Sequence, residues 1–331
     1  MNYRRSRASG LVCVLMVAGA SRAGAADMTG GSLPQQSRIC RTALTPVFYH
    51  TQGTMLWGTL PSWDPAVPTD VPTNVLRSIK VEQGVVTLQQ ADGQLSGQGL
   101  IGSFLSGMDS EGMLVQVVIC GVDSYTDPGK NWTSIRAWNP LKQSWDNPCV
   151  ATAEVPSPRA LLLAGDWDSQ GAYHTDDGKV TVACETGVLA KCVTWGYRPW
   201  VVSSKGTAAL GPAHQACTRM ARADYCGLGV SHTREGNLID YYDFVGVAAL
   251  DAAGSDSAGE VFEAAWGPDG AACVSTMRDG QPLTVLDEEC PGRFQQWGST
   301  LLQYGDKCVI ATDPNALPTS ATLRNRRMPL P

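Results

Sequence analysis

Eleven cysteines in a chain of 331 residues constrain the fold more than any other feature. Cys13 falls in an N-terminal leader. The rest, Cys40, Cys120, Cys149, Cys184, Cys192, Cys217, Cys226, Cys273, Cys290 and Cys308, are even in number. None form a CxxC pair, so the zinc-ribbon and thioredoxin spacings are both missing. The four histidines, at 50, 174, 214 and 232, are scattered, which argues against a Cys/His metal cluster. Even parity in an exported chain points to disulfides, each contributing about 2–4 kcal/mol by restricting the unfolded chain.

Export is read from residues 1–25. Arg4, Arg5 and Arg7 precede the apolar run Leu11 to Ala20, and Ala23-Gly24-Ala25 supplies a small-residue cleavage site, the pattern of a signal peptide. The run is too short to span a bilayer, which needs about 20 residues. Cys13 lies inside it rather than directly after the cleavage site, so a lipid anchor is not indicated. The expected location is secreted or periplasmic, with no membrane insertion after cleavage. Loss of Arg4, Arg5, Arg7 and Arg22 leaves 21 of the 25 basic residues against 31 acidic ones, so net charge moves from −6 to −10. Nucleic-acid phosphates demand a basic face, so nucleic acid is not an expected partner.

Residues 26–44 read as a flexible lead-in and 45–158 as a β-rich region. GTMLWGTL, RSIKVEQGVVTLQQ and GMLVQVVICGV carry β-branched and aromatic residues in short runs. Gln83-Gly84, Asp92-Gly93 and Glu111-Gly112 punctuate them like hairpin turns. Pro61 to Pro72 holds four prolines and reads as a loop or edge. Trp132, Trp138 and Trp145 suit core and rim packing beside a sheet. From 159 to 310, RALLLAG, KVTVAC, EVFEAAW, AACVSTM and DKCVIAT read as strands, with Gly267 to Gly270 as a turn. Two helices are expected. One runs from Thr186 to Trp195 and closes at Gly196. The other starts at Gly211-Pro212, since proline suits the first helical position, and ends at Gly227 and Gly229. Its cysteines are placed to tie it to neighbouring strands. Residues 311–331 read as a disordered basic tail. The fold class is α+β: mostly antiparallel β with two short helices in the C-terminal half, braced by disulfides.

Gly97-Gln98-Gly99-Leu100-Ile101-Gly102 matches GxGxxG, but a polar turn precedes it and Ser103-Phe104-Leu105-Ser106-Gly107 is a poor helix start. It reads as a glycine-rich turn, and no cofactor is expected. Asp166, Asp168, Gln170, Gly171 and Asp177 resemble a calcium loop. Gln170 at the fifth position and Asp177 at the twelfth depart from it, so a solvated hairpin is the better reading. No GxSxG, HExxH or SxxK occurs. Candidates for acid–base chemistry are His214, Asp224, His232, Asp240 and Asp243, because a histidine beside a carboxylate is the minimum for a general base. The structural alternative gives Asp224 to the amides of the following turn and to Arg219 or Arg222, and Asp240 to Arg234.

Ala223-Asp224-Tyr225-Cys226-Gly227, after His214 to Met220 and before Ser231-His232-Thr233-Arg234 and Leu238-Ile239-Asp240, resembles the ADYC-domain family, named for that tetrapeptide. Gly165-Asp166-Trp167, Ala183 to Trp200 and Glu263 to Val274 are similar to it as well. The resemblance spans most of 45–300 and is dense from about 159 to 275. It implies a bacterial, exported unit without an assigned activity. It also implies that Cys184, Cys192, Cys217 and Cys226 belong to the domain's own framework. Cys40 and Cys308 flank it as candidates to pair with each other, and sequence proximity suggests Cys120–Cys149 and Cys273–Cys290.

These readings lead to an exported, disulfide-stabilised binding or structural module whose ligand the sequence does not name. The alternative is a secreted hydrolase using a His/Asp pair within 214–243.

Overall fold

The computed structural model describes residues 40, 54–58, 78–89, 93–109, 114–123, 131–139, 142–168, 170–175, 180–204, 209–234, 236–249, 261–294, 306–307 and 321–328. The leader, nearly all of the lead-in, Pro61 to Pro72, Asp92, Glu111-Gly112, Asp177 and Cys308 lie outside them. The N-terminal half holds β1 (Thr54–Gly58), β2 (Ser78–Glu82), β3 (Val85–Gln89), β4 (Gln94–Ser96), β5 (Phe104–Asp109), β6 (Leu114–Asp123), β7 (Trp132–Asn139) and β8 (Ser144–Asp146). Then come β9 (Ala160–Ala164), β10 (Asp166–Trp167), β11 (Tyr173–His174), β12 (Val180–Cys184), α1 (Val188–Thr194) and α2 (Gly211–Arg222). The chain continues with β13 (Ile239–Asp243), β14 (Val261–Gly267), β15 (Gly270–Val274), α3 (Thr284–Glu289), β16 (Asp306–Lys307) and β17 (Leu323–Arg327).

Seven strands pair in the order β6-β5-β1-β12-β9-β7-β8, and β6 also pairs with β7. Six of them therefore close on themselves as an antiparallel barrel, which removes the exposed edges an open sheet would leave. Alternation along each strand fills the interior with Leu105, Val117, Ile119, Ile135, Leu162 and Val182. The β2-β3-β4 meander adds Ile79, Val86 and Leu88 to the same core. Its first turn is Gln83-Gly84, both residues at positive φ (50° and 76°), as a tight hairpin of this kind requires. The continuous apolar run of β9 follows from burial on both faces. Leu162 points into the barrel, while Leu161 and Leu163 pack outward with Leu189, Ala190 and Val193 of α1.

The C-terminal half packs α2 on a second sheet, ordered β13-β17-β14-β15-β16, whose β15–β16 pairing is parallel. The core between them contains Ala216, Met220, Tyr225, Trp266, Val274 and Leu323. The architecture is α+β and mostly antiparallel, as expected. Three particulars differ. A third helix, α3, joins the two expected. The chain from 311 onward is not simply a disordered tail, because Leu323–Arg327 lie between β13 and β14 with five residues in register on each side. Finally, α2 ends at Ala223, which takes the left-handed conformation itself (φ 52°), upstream of Gly227 and Gly229.

Four disulfides are Cys40–Cys120, Cys149–Cys184, Cys192–Cys217 and Cys226–Cys290. Cys273 is also disulfide-bonded, to a partner outside the described residues. The three expected pairings are corrected, and the reason is which face each sulfur occupies. Cys120 lies on the outside of β6 with Val118, Trp138 and Trp145, whereas Cys149 is inside the barrel with Cys184. Cys273 faces the outer side of the second sheet with Ala265 and Ala272, and Cys290 faces its inner core. Cys40, expected opposite Cys308, is taken by Cys120. The two cysteines around α2 tie it to other helices rather than to strands. Cys217 bonds to α1, and Cys226 bonds to the residue that ends α3.

A non-reducing peptide map should recover these four linked pairs and a fifth containing Cys273. A free thiol at any of the nine, or a Cys120–Cys149 peptide, would contradict this arrangement.

Candidate functional site

The stretch from Gly211 to Asp243 is the hub of the C-terminal half. Every residue of α2 from Ala213 to Arg222 is buried, including His214, Gln215, Thr218, Arg219 and Arg222. Buried polar groups must be satisfied internally, and this helix meets most of that demand through its own side chains. Gln215 accepts from Trp167 Nε1 at 2.7 Å and donates to the Gly171 carbonyl at 2.7 Å. Arg219 donates to the carbonyls of Gln170 and Pro268, and Arg222 to that of Gly229. The β10–β11 hairpin is thereby strapped across the end of the helix.

Each residue of the Ala223–Cys226 tetrapeptide then has a distinct task. Ala223 turns the chain out of the helix, its N–H closing the last turn on the Met220 carbonyl. Asp224 pairs with Arg219 at 2.6 Å and accepts the amides of Leu228 (3.1 Å) and Gly229 (3.0 Å). This is the structural reading of Asp224 given by the sequence, with Arg219 as the partner. Tyr225 is fully buried, its hydroxyl donating to Glu263 at 3.0 Å and accepting the Arg278 amide at 2.7 Å. Burial beside that carboxylate pushes the phenol well above its usual pKa. Cys226 carries the disulfide to Cys290. Gly227 follows at φ 70° because any Cβ there would collide with the Asp269 carbonyl.

Behind the tetrapeptide lies the densest polar network among the described residues. Arg278, 1% exposed, grips Glu263, 0% exposed, through Nε (3.0 Å) and Nη2 (2.8 Å). Its remaining donors reach the carbonyls of Met220 and Ala221 at the end of α2 and the hydroxyl of Thr233. Asn325 of β17 donates to Glu263 at 2.7 Å and accepts from Trp266 Nε1 at 2.7 Å. One carboxylate thus links β14, β17, the tetrapeptide and the segment after β15. Sequence reasoning did not single out Glu263, Arg278 or Asn325. The available signal was a lone charge inside the otherwise apolar strand VFEAAW, which a buried ionic partner must offset.

The acid–base candidates are held in separate surroundings. His214 is sealed in the core, Nε2 donating to the Leu189 carbonyl at 3.0 Å, with its ring edge-on to Trp167. Burial lowers its pKa to about 4, so it is a neutral core residue at physiological pH. His232 stands between Asp279 (3.1 Å) and Glu289 (3.0 Å), neither of them among the sequence candidates. Asp240 lies opposite Arg326 in the β13–β17 register. Asp243 accepts the amides of Gly246, Val247 and Ala248 and the Tyr197 hydroxyl at 2.8 Å. Of the calcium-loop residues, Asp168 accepts the amides of Gln170 and Ala172 and bonds His174 at 2.8 Å, which is the chemistry of a hairpin turn. Asp166 opens that hairpin opposite His174. Gly97 to Leu100 form a short 3-10 turn that leads into β5 rather than an α-helix.

A second polar cluster lies on the opposite face of β17. Arg324 is 2% exposed, its guanidinium 3.9 Å from the centre of the Phe244 ring. Tyr242 faces it in register, Asp243 lies close enough to favour its charge, and Ala265 backs it. Burial lowers the arginine to about 10, so it remains a cation at neutral pH. Its Nε and Nη1 meet no hydrogen-bond acceptor among the described residues.

Two measurements check this account. In urea unfolding, Arg278→Met should cost about 3–5 kcal/mol by stranding the Glu263 charge, and Tyr225→Phe about 1–3 kcal/mol. Equal costs would mean that Glu263 has another counter-charge. For His214, whose folded pKa (about 4) is below the unfolded value near 6.5, the unfolded chain binds the extra proton between them. Stability should therefore fall as pH drops from about 6.5 to 4, by on the order of 3 kcal/mol for this group. His214→Gln should remove that share of the slope, and an unchanged slope would show that the ring charges freely in the fold.

Comparison with known proteins agrees with the tetrapeptide. The family model described as the ADYC domain matches residues 97–280, that is 184 of the 331 residues. The match begins at the turn before β5 and ends before α3, so it takes in most of the barrel and much of the second core, with α3, β16 and β17 beyond it. Among curated proteins and among solved structures, nothing matches. With more than half of its length matched, and its tetrapeptide at the centre of the second core, the chain belongs to the ADYC-domain family.

Proposed function

We propose that the protein is an exported, disulfide-braced binding module, working in the periplasm or outside the cell. The signal-peptide pattern and the cystines support the location, because cystines persist where the surroundings are oxidising. The observation that carries the binding reading is a set of apolar side chains held out to solvent on pinned loops. Val201, Val202 (57% exposed) and Phe244 (42%) are among the most exposed large apolar residues described. Their loops are fixed by the 2.7 Å bond from Ser203 Oγ to the Val245 carbonyl and by the amides that Asp243 gathers from Gly246, Val247 and Ala248. Exposed apolar groups on rigid loops lose little entropy when a ligand covers them.

The hydrolase alternative retains one favourable observation, His232 between Asp279 and Glu289. His214 and the carboxylates Asp224 and Asp243 are committed to the fold by the bonds described above. A neutral apolar fluorophore, phenylnaphthylamine, should bind saturably, and Val202→Asp should weaken it about fivefold without moving the unfolding midpoint. Binding unaffected by the substitution would refute this face. Turnover of chromogenic esters or glycosides, abolished by His232→Gln, would favour the hydrolase instead.

A further inference from the structure

We infer that Arg324 forms the head-group end of this face and takes an oxyanion, a carboxylate or phosphate, carried on an apolar body. The inference rests on the binding reading above and names its ligand class. A guanidinium has five donors in one plane. That of Arg324 is covered on one face by Phe244, and two of its in-plane nitrogens, Nε and Nη1, lie buried without an acceptor among the described residues. The stacked ring offsets part of the desolvation of the charge, but a π face cannot accept the in-plane N–H groups. The neighbouring acid is already engaged. Asp243 has its oxygens filled by three amides and the Tyr197 hydroxyl. The other groups on this face are Tyr242, in register with Arg324, and the pair Asp240 and Arg326, in register with each other one step along the same face. An arginine left in this state is complementary to an external carboxylate or phosphate, whose planar or tetrahedral oxygens match its fork.

The apolar body follows from position. The Ser203–Val245 bond joins the loop that carries Val202 to the loop that carries Phe244, and the arginine lies beneath the Phe244 ring. Because Nε and Nη1 are covered, an oxyanion reaches them edge-on as the exposed Phe244 loop gives way, and its apolar part then lies against that loop.

The test uses the oxidised full chain and four probes at constant ionic strength: octanoate, octyl phosphate, neutral octanamide and acetate. By calorimetry, octanoate or octyl phosphate should bind about tenfold or more tighter than octanamide, and the tighter of the two identifies the head group. Arg324→Gln should reduce both to the octanamide level while leaving octanamide unchanged, and Arg324→Lys should be intermediate. If octanamide binds as well as the anions, the role of Arg324 is refuted while the apolar face stands. If acetate binds as well as octanoate, the apolar body is refuted. If nothing binds, the binding reading itself falls. Should Arg324→Gln fail to fold, the wild-type Nε–Hε resonance of Arg324, assigned by its loss in Arg324→Lys, serves instead. It must move with octanoate and stay still with octanamide.

Discussion

The buried ion pair of Glu263 with Arg278 holds the C-terminal half in register. Neither charge reaches solvent, so each depends on the other and on the neutral groups around them. Those neutral groups are the end of α2, Tyr225, Thr233 and Asn325. None of these can shift without leaving a buried donor or acceptor open. The surrounding apolar core would tolerate small repacking, whereas a bidentate guanidinium–carboxylate contact admits one arrangement. Shape specificity in this half thus resides in polar geometry, and the hydrophobic contacts supply the bulk of the driving force.

The tetrapeptide that marks the family is intelligible on this basis. Its four residues make one helix stop, one turn clamp, one link to the ion pair and one cystine, all within two turns of chain. Every one of these tasks faces inward. The motif is therefore a signature of how the domain is built, and the binding face proposed above lies elsewhere, in the loops after α1 and β13 and on the outer face of β17.

Much of this was legible in the sequence where the determining contacts are local. RALLLAG and KVTVAC are strands because burial on both faces demands unbroken apolar runs, and Pro212 starts α2. The capping role of Asp224 needed only residues up to five positions away. What remained hidden depends on partners far along the chain. The run LRNRR in β17 has the composition of a solvated tail, and only Phe244, Trp266 and Glu263 make it a strand interior. The helix TVLDEE is too short for its periodicity to register. Cystine pairing depends on which side of a strand each sulfur occupies, information that proximity in sequence does not carry. The acid–base candidates were plausible by residue type, but the fold gives them other partners.

The placement of β17 also has a consequence for the order in which the molecule assembles. β13 and β14 do not pair with each other; each binds opposite edges of a strand that is synthesised some tens of residues later. Until that strand arrives, both carry open backbone edges, and the Glu263 carboxylate is short of its Asn325 partner. The six-stranded barrel has no such dependence on the final segment and can close as soon as β12 is available. A chain made from its N-terminus can complete the barrel before the second sheet receives β17, so the two halves mature on different clocks. The interval in between is when the second sheet is most open to pairing with a strand of another chain.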